Sequence, residues 1–346
     1  MIKKVLLYSC FVINLVTSGN LKLARPLVTI PYSVSALALD SSQTLLAIGD
    51  QKGNLTFFDM KQNTIKTTIK FTHAIRSLDF HPSKPLLAVG TTAKLSNLFI
   101  INVDGVIGSN RSALMGHMDW VSCVTFNHAG TMLASTSDDR TAKIWDTATN
   151  TLLYSLQDPE TKKDPSYYLL TASFNSNDTL LAIAGAQSVI SIWDMAAKPE
   201  PKLILTKVIG PASKNYNFST AAFHPKNPLI CAFTTSGGIL EIFDVSSNAI
   251  IKTFNKIELD PLFVTWHPTG NYLLTRYIGN TGGIIVSDTK NNAIYQLTVP
   301  EDRSQMHFCN IVISTSFHTI MSGFLTKEGK GVVYAWDDPT VEKKGD

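Results

Sequence analysis

Seven times along this chain an aspartate closes an apolar, alternating run. It stands in Phe57-Phe58-Asp59, Asn102-Val103-Asp104, Ile144-Trp145-Asp146, Ile192-Trp193-Asp194, Ile242-Phe243-Asp244, Val286-Ser287-Asp288 and Ala335-Trp336-Asp337, at spacings of 45, 42, 48, 50, 44 and 49 residues. A second signal runs in phase with it: an aromatic, a polar turn, and an apolar pair beginning six positions on. Its instances open at Phe80, Phe126, Phe174, Phe223 and Trp266, with a weaker first copy in which Leu39 takes the aromatic place. Two signals locked together over so much of a chain define a repeat, and a repeat of this period constrains the architecture before any single element is read.

Each period holds four short strands. In the third copy they are expected at 121–126, 132–137, 141–145 and 151–156, punctuated by Ala129-Gly130 and Asp138-Asp139. Four strands every 40–50 residues is the pattern of a propeller blade. One blade cannot bury both of its faces, so blades must stack around an axis. Seven copies imply an all-β, seven-bladed β-propeller of four-stranded antiparallel blades, over residues 24–338. The seventh copy has no room for a fourth strand after Asp337, because nine residues remain. Residues 26–30, which precede the first copy, are expected to supply it and close the ring, leaving 339–346 as a disordered tail.

The third copy carries Gly116-His117, Ser135, Asp139 and Trp145-Asp146. It resembles the Gly-His…Trp-Asp unit of the WD-repeat β-propeller family; the other six copies are degenerate. The resemblance implies a structural tetrad of His117, Ser135, Asp139 and Trp145, with Asp139 accepting from His117 and Ser135 linking that imidazole to the indole. It also implies that the loops entering each inner strand and the turns after each second strand form one rim of the disc. Trp120 falls on that rim, three residues after His117. Counting six back from the other aromatic markers adds Tyr168, beside Tyr167, then Asn217 and Asp260. The residues preceding the tetrad aspartate position add Asp138 and Asn280. Exposed aromatics ringed by charge fit an interface anchor with a polar border. A protein or peptide partner on the rim of blades 3 and 4 is therefore expected; the alternative is that Trp120 caps its own blade and Tyr168 packs under the 157–166 loop.

His117, Ser135 and Asp139 also have the composition of a hydrolase triad. The serine, however, is placed inside a strand beneath a tryptophan, and no Gly-x-Ser-x-Gly turn is present. His81, His224 and His267 occupy one turn position in different blades, too dispersed for a metal. With no phosphate-binding glycine loop either, no catalytic residue, metal or cofactor is assigned. The favoured function is a non-catalytic protein–protein interaction scaffold, a monomer within larger complexes. The alternatives are a propeller enzyme and a small-ligand or glycan binder at the central channel.

The chain begins Met-Ile-Lys3-Lys4, continues with an apolar stretch from Val5 to Val16, and turns small and polar at Thr17-Ser18-Gly19. That order fits a secretory signal peptide over residues 1–19, hence a periplasmic or secreted protein. An outer β-strand, with cytoplasmic residence, is the alternative. The apolar stretch is too short to span a bilayer core of ~30 Å as a helix, so no membrane insertion is expected once the leader is removed. Without residues 1–18 the chain carries 28 basic against 27 acidic residues, a balance that argues against nucleic-acid binding. Four scattered cysteines form no CxxC pair. Three of them, Cys123, Cys231 and Cys309, are expected as reduced thiols in inner strands.

Overall fold

The third repeat forms strands Val121–Phe126, Met132–Ser137, Ala142–Asp146 and Thr151–Leu156, paired antiparallel in chain order. Alternation of apolar and small polar residues gives each strand two faces. The turns between strands take the backbone into the left-handed region at Gly130, Arg140 and Asn150. The computed structural model describes residues 22–108, 110–159, 167–186, 189–208, 219–235, 239–254, 260–278, 283–291, 293–298 and 309–341. Within them the same pattern recurs as seven sheets, six of four strands and one of five, making an all-β, seven-bladed β-propeller.

The inner strands of the blades are Val34–Leu39, Ile75–Phe80, Val121–Phe126, Leu169–Phe174, Ser219–Phe223, Asp260–Trp266 and Ile311–Ser314. They surround the axis, and the strand of blade 1 packs against those of blades 2 and 7, which closes the ring. Arg25–Ile30 pairs antiparallel with Gly331–Asp337 as the outer strand of blade 7, so that blade is built from both ends of the chain. Lys22–Leu23 pairs in parallel with Ile294–Thr298 as a fifth strand on blade 6. Pro339, Thr340 and Val341 continue the ordered chain, with Thr340 bonded to Asp338 through its N–H and hydroxyl. Residues 1–21 and 342–346, and with them the segment expected to be a leader, lie outside the described residues.

The described residues hold seven hydrophobic clusters, one at each joint between blades. At the joint of blades 2 and 3, Ala88, Leu98 and Ile100 meet Val121, Val124, Leu133 and Trp145. Burying one such aliphatic or aromatic side chain stabilises by roughly 1.5–3 kcal/mol, so stacking of neighbours carries the ring. Cys123 lies in the inner strand of blade 3 and Cys309 just before that of blade 7, both as free thiols. Cys231 corrects its expected place: it stands in Ile230–Thr235, the second strand of blade 5, opposite Phe223. It follows the turn after the aromatic marker rather than preceding it.

Candidate functional site

In blade 3 the four residues that the resemblance assigns to a tetrad lie in one polar relay. His117 Nδ1 donates to Asp139 Oδ2 at 2.8 Å. Its Nε2 is 2.8 Å from Ser135 Oγ, which accepts the Trp145 indole N–H at 2.8 Å. Ser135 is fully buried, and His117 and Trp145 are nearly so. Asp139 is fixed by four donors: His117, the Met118 N–H, and the N–H and hydroxyl of Thr141. Burial alone would raise its pKa, but the hydrogen bond and charge of His117, with the Thr141 hydroxyl, hold it well below the usual carboxylate range. Ser135 thus has its oxygen committed on both sides and no open face for a substrate, which is the geometry of a structural brace rather than of a nucleophile.

Inside the ring lies a cavity of about 680 Å³, lined by the inner strands. Its charged lining residues are Arg76 and Asp79. Asp79 takes the Phe126 N–H of the next blade at 2.7 Å, and burial pushes its pKa up to about 7 against the pull of that bond and of the Thr125 hydroxyl. Other joints use the same device: Ser173 Oγ accepts the Phe223 N–H at 3.0 Å, and Asn310 bonds both the N–H and the carbonyl of Leu37. Side chains facing the channel therefore complete the backbone bonding of neighbouring inner strands.

At the channel mouth Trp120 is more than a third exposed, and the Arg76 guanidinium sits 5.5 Å above its ring centre. Asp138 is half-buried beside it, its carboxylate accepting the Ser122 hydroxyl at 2.8 Å and its N–H bonded to the Trp120 carbonyl. Burial raises the Asp138 pKa, opposed by Ser122 and Arg76. Tyr167 and Tyr168 are half-buried where the chain enters blade 4, and the Tyr168 carbonyl accepts the Ala186 N–H. So Trp120 and Asp138 are brought together around Ser122, while the neighbour over the indole comes from blade 2. Asp260 opens the inner strand of blade 6. Asn217 and Asn280 lie outside the described residues.

The opposite face shows what the sequence reading understated. The residue after each aromatic marker reaches across to the next blade. His81 Nε2 bonds the Gly130 carbonyl, Asn127 bonds Asp178, and Asn175 bonds the Pro228 carbonyl. His224 Nε2 bonds the Gly270 carbonyl, and His267 Nε2 meets Asp338 at 2.8 Å. The three histidines are thus clasps between blades, not simple turn residues. Their recurrence one place after the marker was the available signal. Gly130 and Gly270 have φ of 70° and 80°, and a Cβ on either would lie within 2.5 Å of the clasping imidazole, so only glycine fits there. Among the described residues no group of three His, Cys, Asp or Glu side chains could hold a metal ion.

Comparison with known proteins bears on the same segment. A family model described as "WD domain, G-beta repeat" matches residues 108–146, the stretch that ends with blade 3's Trp-Asp pair. The chain is 25% identical to the TSET complex member tstE of Dictyostelium discoideum over 79% of this chain and 21% of that protein. It is 25% identical to the small ribosomal subunit protein RACK1 of Drosophila melanogaster over 48% of this chain and 51% of that protein. A striatin homolog of Dictyostelium discoideum matches 47% of this chain at 25% identity, over 20% of its own length. These relatives are thus matched over a fifth to a half of their length. With one Gly-His…Trp-Asp repeat matched, a tetrad assembled in blade 3 and seven blades around one axis, the chain is a seven-bladed β-propeller that contains a WD repeat and is similar to WD-repeat proteins.

Proposed function

We propose that this protein is a non-catalytic interaction platform, and that a protein or peptide partner docks on the face bearing Trp120. The observation that carries the reading is the contrast between two sites in one blade. The only Ser-His-Asp grouping of the notable repeat is a closed brace, while Trp120, a few residues away, stands open at the channel mouth under Arg76. An exposed indole edged by charge is the kind of group that dominates interface energetics. Relatives named as a complex member and as a ribosomal subunit protein are parts of assemblies, which supports a binding role. Affinity purification from the native host with wild type and Trp120→Ala, read by mass spectrometry, tests it. A specific partner should be lost from Trp120→Ala with the melting temperature little changed; a partner held unchanged refutes the placement.

We propose further that residues 1–19 direct export, on the order of Lys3-Lys4, apolar stretch and small polar end. N-terminal sequencing of the protein from its native host should begin near residue 20; an intact Met1 on correctly localised protein overturns this.

A further inference from the structure

Two loops lie side by side on the face that carries Trp120. One is the turn 91–97 of blade 2, and the other is the connection 115–120 leading into blade 3. Asn97 Nδ2 donates to the carbonyls of Asp119 and His117, at 2.6 and 3.4 Å, and Ser96 Oγ is 3.3 Å from Met115 Sδ. The two loops therefore present one surface. Onto it project Leu95, Met115, Met118 and Trp120, with 61%, 59%, 67% and 39% of their area exposed. Exposed apolar residues elsewhere, such as Ile65, the pair Leu152 and Leu153, Ile204, and the pair Ile250 and Ile251, sit on outer strands of separate blades. Four together on two linked loops form a patch of the kind that marks an interaction site. Two of the four are methionines, whose flexible, polarizable side chains adapt to a partner's shape.

The charges around the patch are unequal in what they are free to do. Asp139 is committed to the tetrad, Asp138 to Ser122, and Asp119 Oδ1 to the Trp120 N–H. Lys94 stands in the first loop, Arg76 over Trp120, and Arg140 in the turn whose Asp139 accepts the Met118 N–H; Arg76 acts electrostatically on Asp138, but among the described residues no carboxylate lies within ion-pair distance of any of the three. Resting on the platform reading above, we infer that this surface takes a short segment of a partner protein that carries apolar side chains flanked by Asp or Glu. Its apolar groups cover Leu95, Met115, Met118 and Trp120. Its carboxylates pair with Lys94 and Arg140 and with the planar guanidinium of Arg76. An anionic bilayer fits less well, because a flat charged sheet would also face Asp119 and Asp138, whereas a peptide sets its acids against the cations alone.

Panning a phage-displayed random peptide library on the full chain tests this. The enriched sequences should combine apolar residues with flanking acids. A synthetic consensus peptide, followed by fluorescence anisotropy, should bind roughly tenfold or more weakly to Met118→Asp and to Lys94→Glu/Arg140→Glu, and more weakly as salt rises. All these positions are at the surface, so melting temperatures should hold. Exchanging the peptide's acids for lysines should recover binding to the charge-reversed variant but not to wild type. A consensus that is neutral or basic, yet is lost with Trp120→Ala, overturns the acidic partner while leaving the platform standing. Peptides indifferent to Trp120, Met118 and Lys94 overturn both. Sedimentation with phosphatidylserine vesicles in place of peptide binding would overturn the inference in favour of a membrane surface.

Discussion

Replacing Asp139 by alanine isolates the physics of the tetrad. The carboxylate accepts from His117 Nδ1 at 2.8 Å, Met118 N at 2.9 Å, Thr141 N at 2.9 Å and Thr141 Oγ1 at 2.6 Å. Met118 is exposed and Thr141 half-buried, so water takes over most of what they lose. His117 is 1% exposed, and its Nδ1–H is left buried without a carboxylate. An orphaned buried donor costs about 1–3 kcal/mol, and the three partly hydrated bonds add about 0.5 kcal/mol each, so a loss of about 2.5–4.5 kcal/mol is expected. Asp139→Asn keeps an acceptor for the imidazole and should cost about half as much. Guanidinium denaturation followed by tryptophan fluorescence reads both, with Trp145 edge-on to His117 as a local reporter. The pH dependence has a definite sign. Asp139's folded pKa lies below its ordinary value, so its contribution is complete above the unfolded value of about 4. It is lost as the pH falls through the folded value, and the stability gap between wild type and Asp139→Ala should narrow in acid. A loss below about 0.5 kcal/mol, or a gap that widens in acid, would refute the reasoning.

Trp145→Ala should cost about 3–5 kcal/mol in the same denaturation experiment, the usual effect of emptying a buried aromatic site. Gly130→Ala combines a left-handed φ of 70° with a Cβ that would lie 2.4 Å from the His81 ring; a loss of about 1–3 kcal/mol and a lowered melting temperature are expected. Gly323→Ala would place its Cβ 2.2 Å from Val34 Cγ1 at the joint of blades 7 and 1, costing about 1–3 kcal/mol, and adding Val34→Ala should recover part of it. Burial pushes the Cys123 and Cys231 thiols up to about 11 and about 12 and also raises Cys309. Iodoacetamide at pH 8 should therefore leave all three unlabelled in the folded protein and label them in guanidinium, as read by mass spectrometry.

What could be read from the chain alone was whatever the repeat makes local. Seven aspartates in phase with the aromatic markers set seven blades, because strand alternation and turn residues act between neighbours in sequence. His117, Ser135, Asp139 and Trp145 fall within one repeat, so their meeting needed only the hairpin pairings of blade 3. The arrangement between blades is different in kind. The clasps of His81, Asn127, Asn175, His224 and His267 join residues 49, 51, 53, 46 and 71 positions apart. Arg276, buried with its Nη1 on the Cys309 carbonyl and its guanidinium 4.5 Å above the Phe324 ring, exists only at the joint of blades 6 and 7. The same holds at the candidate site. There Arg76 stands over Trp120 and the loop anchored by Asn97 approaches from blade 2, contacts between repeats that no local pattern in the sequence carries. Which side chains meet across a joint depends on how far each blade is rotated and shifted along the axis relative to the next. A two-residue alternation carries no information about that offset, and only the packing of apolar faces around the closed ring determines it.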